Sequence, residues 1–269
     1  MLQLWRRFPG RLKRRAAREW YEYLSHLDPE GEILFLNHGY AGPDADLRLA
    51  PEDEPNRYPI QLYHRIAAGA DWSGREALEV SCGRGGGASY IARYLAPRAL
   101  IGLDITASAI EFCRSRHRHP ALSFERGDAQ RLPFDSGRFD IVLNVEASGS
   151  YPDRTAFFRE ATRVLKPGGH FLFGDYRRRT GAAKLRSQLA EAGLDPVEEA
   201  DISAGVLRAL ELDDPRKRGL VERHAPRLFR RTFAEFAFVR TGGDDEHAAF
   251  ARGEKLYLAF TFRKPSTGS

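Results

Sequence analysis

Residues 77–90 read ALEVSCGRGGGASY. The opening run, ALEVSC, is short, apolar and non-alternating, which is the pattern of a parallel strand covered on both faces. It runs straight into glycines and then into a segment of helical character that begins near Gly86. Gly83, Gly85 and Gly87 let the chain turn sharply and bring its backbone against a ligand that side chains would exclude. The helix start just beyond supplies free N–H groups. Taken by itself the turn fits two cofactors, because Gly83, Gly85 and Ala88 also satisfy the dinucleotide fingerprint and Asp104 follows at a suitable distance for either. A glycine turn made only for helix–strand packing is the third reading.

Outward from this turn the same alternation continues. ALIGLD (99–104), LSFER (122–126), FDIVLNV (139–145) and HFLFGD (170–175) are further apolar runs, separated by helical segments over 86–95, 106–116 and 153–165. Strands alternating with helices of this length make βαβ units and a mostly parallel sheet. A helix near 180–192 ends at Gly193, PVEEA (196–200) is a weak strand, 202–250 is helical with breaks at Pro215 and Pro226, and LYLAFTF (256–262) is an alternating strand. Asp104 closes its run, so its carboxylate is expected at the carboxyl edge of the sheet beside the glycine turn, where it can accept both hydroxyls of a ribose. The competing role is a charge at a helix N-terminus.

Four more features accompany the turn: Glu79 before it, GDAQRLPF at 127–134, FDIVLNVEA at 139–147 and RVLKPGGHFLFGD at 163–175. In their order and spacing over about 100 residues the chain resembles the class I S-adenosylmethionine-dependent methyltransferases. LNHGYA (36–41), EVSCGRGGGASY (79–90) and NVEASGSYP (144–152) are similar to small-molecule O-methyltransferases, especially those acting on phthiotriol-type polyketide lipids and, more distantly, on sugars. The resemblance implies an α/β, Rossmann-like three-layer sandwich. Its seven-stranded, mostly parallel sheet has the order 3-2-1-4-5-7-6 and an antiparallel last strand. The implied divisions are an N-terminal arm and helical cap (1–56), a cofactor-binding core (57–201), a helical lid insertion (202–250), and the last strand with its tail (251–269).

Carried over by position, the resemblance implies that Glu79 and the turn at Ser81, Gly83 and Gly85 hold the methionine portion of S-adenosyl-L-methionine. Asp104 binds the ribose, Ile105 flanks the adenine, Asp128 meets the adenine amino group, the amide of Ala129 meets a ring nitrogen, and the backbone of Asn144 faces the ammonium. The chemistry is consistent, since an ammonium, a diol and an exocyclic amine are all donors best met by carboxylates or carbonyls. For Glu79 an ordinary ion pair with an arginine is the competing role. Ser81 stands where the usual pattern has its first glycine, which narrows the subgroup to phthiotriol-type enzymes.

In sugar O-methyltransferases of this type a histidine follows the acid equivalent to Glu146, with an aspartate at the end of the fifth strand. Here the histidine position is Gly149, while Asp175 matches the aspartate. The bases left are Asp175 first, then Tyr151, Glu146 or His38, or none. Asp175 has an equal claim to a structural role, capping the next turn or pairing with Arg177. Tyr40, beside His38, is expected to close the cofactor pocket, and Tyr58–Ile66 to pack, with part of it joining the same lid. In the insertion, Leu207, Leu210, Leu220, Leu228, Phe229, Phe233, Phe236 and Phe238 divide between core and a roof over the acceptor.

The 269 residues suffice for one such domain with a cap, and the net charge of +5 is concentrated in arginine. One cluster (Arg6, Arg7, Arg11, Lys13, Arg14, Arg15, Arg18) is interspersed with Leu2, Leu4, Trp5, Phe8 and Leu12, a composition that suits peripheral membrane contact as well as a frayed, solvated terminus. A second (Arg177, Arg178, Arg179) suits an acidic or carrier-bound acceptor. Two cysteines, Cys82 and Cys113, make neither a disulfide framework nor a zinc site, so no metal is expected. No run approaches the roughly 20 apolar residues of a membrane span, and the first 18 residues lack the apolar centre of a signal peptide, so a cytoplasmic protein is expected. A nucleic-acid partner is not expected, because NVEA occupies the place of the Asn/Asp-Pro-Pro-aromatic motif used on base amines. The expected function is methyl transfer to the hydroxyl of a hydrophobic or polyketide-like small molecule. The alternatives are a cofactor-binding scaffold or cyclisation catalyst without methyl transfer, and a nicotinamide-dependent oxidoreductase.

Overall fold

The computed structural model describes residues 28, 30–43, 47–243 and 245–266. The basic arm and the rest of the expected N-terminal cap up to residue 27 lie outside the described residues.

Seven strands, β1 (Glu76–Val80), β2 (Ala99–Asp104), β3 (Leu122–Arg126), β4 (Phe139–Val145), β5 (Leu165–Arg178), β6 (Asp195–Asp201) and β7 (Lys255–Arg263), form one sheet. Its order is β3-β2-β1-β4-β5-β7-β6. β7 runs antiparallel to both neighbours, and the other pairings are parallel. The order expected from the resemblance is therefore the observed one. Helices α1 (Arg57–Ala67), α2 (Gly86–Tyr94) and α3 (Ala107–Arg116) precede β4, and α4 (Arg154–Val164) and α5 (Ala182–Ala190) flank β5.

Because successive strand residues face opposite sides, each strand divides its side chains between two cores. Ala77, Ile141, Leu143, Leu172, Tyr257 and Ala259 pack with Ile60, Leu62, Ile66 and Ile91 from α1 and α2. Leu78, Val142, Phe171, Phe173, Phe260 and Phe262 pack with Phe157, Phe158, Val164, Leu185 and Leu189 from α4 and α5. Each such fully buried side chain contributes about 1.5–3 kcal/mol of apolar transfer. Glu79 lies between Leu78 and Val80 on β1 and so faces the α1 layer, an acid placed inside an apolar core by strand parity. Close contact of α2 with α1 depends on Gly87, where a Cβ would sit 2.0 Å from the ring of Tyr63.

β5 is longer than the expected 170–175. β7 pairs with it from His170↔Arg263 to Arg178↔Lys255, and this antiparallel partner keeps the backbone extended past the end of the apolar run. The insertion resolves into α6 (Ser203–Leu212), α7 (Asp214–His224), α8 (Arg230–Phe236) and α9 (Glu246–Ala251). Its apolar residues are unequally placed. Leu210 is fully buried in the sheet-side core, whereas Leu228 is 86% exposed.

The described part of the N-terminal segment is mainly irregular, with only a single 3₁₀ turn at Glu54–Asn56. Its residues 33–38 pass over the glycine turn as a strap. Asp28 anchors the near end: its carboxylate accepts the amides of Glu32 (2.9 Å) and Ile33 (2.8 Å) and the guanidinium of Arg84 (2.9 Å). That ion pair is buried on both sides, and breaking such a pair by removing one partner costs about 3–5 kcal/mol. The arginine within the glycine turn therefore fastens the strap. Among the described residues no helix is long and apolar enough to cross a membrane.

Candidate functional site

The crossovers run outward from β1 to β3 and then return to β4, so the sheet order reverses between β1 and β4. Open α/β sheets take their ligands outside the carboxyl ends of strands at such a reversal. A cavity of about 690 Å³ lies there, walled by the ends of β1, β2 and β4, the glycine turn, and the strap from Leu34 to Asn37. The strand ends are bent by two non-glycine residues in the left-handed region, Ser81 after β1 (φ 62°) and Glu146 after β4 (φ 53°). Such backbone strain is retained where the surroundings over-determine it, and it clusters at working sites.

Ser81, Gly83, Asp104, Ile105, Asp128, Ala129, Glu146 and Tyr151 all line this cavity. Asp104 is held by the amides of Gly83 (3.1 Å) and Thr106 (2.9 Å), which fixes its carboxylate at the wall. Burial raises its pKa against those two amide hydrogen bonds. Asp128 accepts the backbone and side-chain N–H groups of Gln130 at 2.9 and 3.1 Å. The hydroxyls of Ser81 and Tyr151 share a 2.6 Å hydrogen bond, and Asn144 Nδ2 donates to Tyr151 (3.0 Å) and to the carbonyl of Val80 (2.8 Å). Burial raises the Tyr151 phenol well above its usual range, which favours the neutral hydroxyl in this network.

The remaining expected residues are set back from the wall. Glu79 lies one layer in, with Oε1 accepting from the Tyr63 hydroxyl (2.8 Å) and Oε2 buried without a hydrogen bond. Burial and the nearby Asp104 charge outweigh the lowering effects of the Tyr63 hydroxyl and the Ala88 backbone N–H and push its pKa up to about 8. The arginine pairing considered from sequence is thus absent from its hydrogen bonds. Gly85 caps α2 with φ 75°, and its free side faces Cys113 and His117, so it serves the turn's packing and not the cavity surface. Asn144 contributes its side chain to the Tyr151 network, and the backbone on the cavity wall is that of Val145 and Glu146. Tyr40 is buried against Gly205 of α6, outside the cavity; the closing ring is instead Phe35, beside Gly86.

Asp175, the first choice of base from sequence, is 1% exposed and fully engaged. Its oxygens accept from Arg177 Nη1 (2.8 Å), Arg177 Nη2 (2.9 Å), the Tyr176 amide (2.8 Å) and Ser148 Oγ (2.6 Å). It does not reach the cavity, and its structural role displaces the catalytic one. The same pairing engages Arg177, and Arg179 donates to the carbonyl of Gly253 (2.8 Å).

Glu146 and His38 are brought together instead. The Glu146 carboxylate accepts the backbone N–H of His38 at Oε1 (3.0 Å) and the ring Nδ1–H at Oε2 (2.8 Å). The other ring nitrogen, Nε2, donates to Glu246 at 3.2 Å. Burial alone would lower the histidine pKa, but the charge and hydrogen bond of Glu146, reinforced by Glu246, hold it above the ordinary value. No histidine stands at Gly149, and the histidine that meets Glu146 comes from the N-terminal strap. Lys217 of α7 grips the strap at that point by donating to the carbonyls of Asn37 (3.3 Å) and His38 (3.2 Å). Tyr63 and Glu246 gave no sign in the sequence, because a helix-face tyrosine and a first-turn acid are both common without function.

The buried, unpaired Glu79 oxygen, the fixed Asp104 carboxylate and the cavity size fit a cationic adenosyl cofactor. Comparison with known proteins agrees. Residues 78–173 match the methyltransferase domain family. The phthiotriol/phenolphthiotriol dimycocerosates methyltransferase of Mycobacterium tuberculosis is 42% identical over 252 residues, 93% of each chain. The fatty-acid O-methyltransferase of Mycolicibacterium smegmatis is 38% identical over 257 residues, 95% of this chain and 92% of that one. Among solved structures, the [4+2]-cyclase SpnF shares the fold at TM-score 0.67 with 20% identity, over 93% of this chain and 95% of that one. Geranyl diphosphate C-methyltransferase from Streptomyces coelicolor does so at 0.65 with 16% identity, over 94% and 97%. Those two chains carry different chemistries on one fold, so it is the sequence relatives that decide. The present chain belongs to the S-adenosylmethionine-dependent methyltransferase family that includes these mycobacterial enzymes.

Proposed function

We propose that this protein methylates an oxygen, most simply a hydroxyl, on a long-chain or polyketide-like lipid, with Glu146 as the proton acceptor. The observation that carries the reading is the position of Glu146: a carboxylate on the cavity wall, at a strained strand end, braced by His38. The printed names of the relatives, which refer to phthiotriol-type lipids and fatty acids, support an apolar acceptor. So does a second, narrow cavity of about 50 Å³ under the insertion, lined largely by apolar side chains that include Leu36, Leu220, Phe233, Phe236 and Phe238. It shares Phe35, Leu36 and Asn37 with the larger cavity, so a tail seated there leads to the same wall.

The cofactor supplies an electrophilic methyl group on a sulfonium. In the proposed seating, Glu79 Oε2 and the turn at Ser81 and Gly83 receive the methionine end, Asp104 the ribose diol, and Asp128 and Ala129 the adenine edge beside Ile105. The protein then has to align the acceptor oxygen with the methyl carbon and keep water out, since geometry of this kind provides much of the rate. The strap residues Leu34–Asn37 cover the turn and serve that exclusion. Transfer would form the oxygen–carbon bond as the methyl–sulfur bond breaks, the sulfur leaving with the electron pair as the neutral thioether of S-adenosylhomocysteine, and the hydroxyl proton would pass to Glu146. Among the described residues His38 gives that carboxylate two hydrogen bonds, and an ionised carboxylate has about four acceptor positions.

Two measurements test this. Asp104→Ala removes the acceptor for two ribose hydroxyls, each a charge-assisted bond of about 1.5–3 kcal/mol. Calorimetry is expected to show S-adenosylhomocysteine affinity at least about 100-fold weaker, and unchanged affinity would remove the proposed seating. For the acceptor, turnover with a series of hydroxylated alkyl chains is expected to rise with chain length from about six to sixteen carbons, because each buried methylene adds about 0.8 kcal/mol. A flat series would count against a lipid-like acceptor.

A further inference from the structure

We propose that Glu246, carried by the first turn of α9, is a positioning residue for methyl transfer. By clasping the far nitrogen of His38 it fixes, through the imidazole, the Glu146 carboxylate on the cavity wall, so that the base is assembled only when the insertion is seated. The inference rests on the reading of Glu146 as proton acceptor.

The geometry is a line of alternating charge: Glu146, His38, Glu246 and Lys255. His38 is completely buried, yet both of its ring nitrogens face carboxylates, and an ionised carboxylate can only accept. Both nitrogens must therefore donate, which requires the imidazolium. Lys255 of β7 caps the far end with a short ion pair to Glu246, and burial of Glu246 is outweighed by His38 and Lys255, which hold its pKa down to about 2. The other groups facing His38 are the neutral phenols of Tyr176 and Tyr257 and the Phe250 ring, with ring centroids 4.5, 6.1 and 5.6 Å away. Lys217 reaches its carbonyl.

The insertion also supplies the lid over this line. Phe238 stacks on the imidazole at 3.8 Å, with its own backbone in the left-handed region at φ 58°. A non-glycine residue held there is strained by about 1–3 kcal/mol and stays only while its surroundings enforce it. Phe238 and Glu246 both come from the insertion, so the stretch that covers the imidazole also supplies its second carboxylate.

The sign of the pH dependence follows. The imidazolium is present below the His38 pKa and is lost as pH rises through it, so turnover is expected to fall on the alkaline side. Glu246→Gln keeps an acceptor oxygen but removes its charge, which lowers the His38 pKa and moves that limb to lower pH by about one unit, the usual scale of a single charge partner. On the alkaline limb, above both His38 pKa values, kcat at a fixed pH is expected to fall about 10-fold, with recovery toward wild type as pH is lowered. KM and S-adenosylhomocysteine affinity should stay within about twofold, because Glu246 lines neither cavity.

Nitrogen-15 NMR of the full chain gives a readout without turnover: both His38 ring nitrogens should stay protonated to a pH above the ordinary 6.5 or so in wild type, and to a lower pH in Glu246→Gln. A wild-type His38 that titrates at or below that value overturns the proposal, as does a Glu246→Gln profile that is lowered uniformly without changing shape. If Glu146→Gln retains full turnover, the proton-acceptor reading fails first. If Glu146→Gln is inactive while the Glu246→Gln profile overlays wild type, only the present inference falls.

Discussion

Glu146→Gln is expected to lower kcat by about 10²–10⁴-fold, the range attributed to a positioned general base, while leaving S-adenosylhomocysteine affinity within about twofold. The substitution is nearly isosteric. Its carbonyl oxygen still accepts one of the two His38 bonds seen at 3.0 and 2.8 Å, and the strained turn at φ 53° keeps a residue of the same shape. What disappears is the charge that takes the hydroxyl proton and stabilises the imidazolium. A fall confined to kcat identifies an interaction made in the transition state, whereas a matching rise in KM would identify ground-state binding. Steady-state kinetics with calorimetry on the same preparation decide between them. Retention of kcat would sink the role proposed for this residue, and the pairing of Asp175 with Arg177 leaves that acid no better placed to replace it.

Glu79→Gln should produce two effects of opposite sense, more stability and weaker cofactor binding. The buried Glu79 has its pKa pushed up to about 8 from 4.5, chiefly by burial. For an acid whose folded pKa is raised, the contribution to stability is fully present below the unfolded value and is lost as pH rises through the folded one. The window is therefore about pH 4.5 to 8. Glutamine is neutral throughout, so the variant without cofactor should match wild type near pH 4.5 and exceed it at pH 8.5. The upper bound is on the order of 3–5 kcal/mol, read as a higher Tm.

In the proposed seating the cofactor ammonium would supply the missing partner of Oε2, so its binding should ionise Glu79 and release up to one proton near pH 7. Calorimetry in buffers of different ionisation enthalpy measures that release, which should vanish in Glu79→Gln together with about a 10- to 100-fold loss of affinity. Equal Tm profiles for variant and wild type at pH 8.5, with unchanged proton release, would show that Glu79 is ionised in the resting fold and is no seat for the ammonium.

Both predictions concern carboxylates that the sequence had singled out, yet the roles divide differently from the expectation. Asp104, Asp128 and Ser81 stand where their strand ends place them, because the end of an apolar run and a glycine turn are local features. Asp175 ends such a run equally well, but Arg177, two residues on, folds back to engage both of its oxygens. A strand end puts a residue at the sheet edge without telling which neighbour its side chain meets. Tyr40 shows the same limit: LNHGYA marks a segment that reaches the site, and only the packing against Gly205 turns its tyrosine away while its histidine turns in.

The amino-acid order by itself determined the parallel sheet, its edge of acids around a glycine bend and the methyltransferase resemblance, since periodicity and turn chemistry act over a few residues. Tertiary structure decided which carboxylates and which histidine meet. His38 meets Glu146 across 108 positions and Glu246 across 208. Hydrogen bonds are short and directional, so which distant groups come within 3 Å or so of one another is settled only when strap, sheet and insertion pack together.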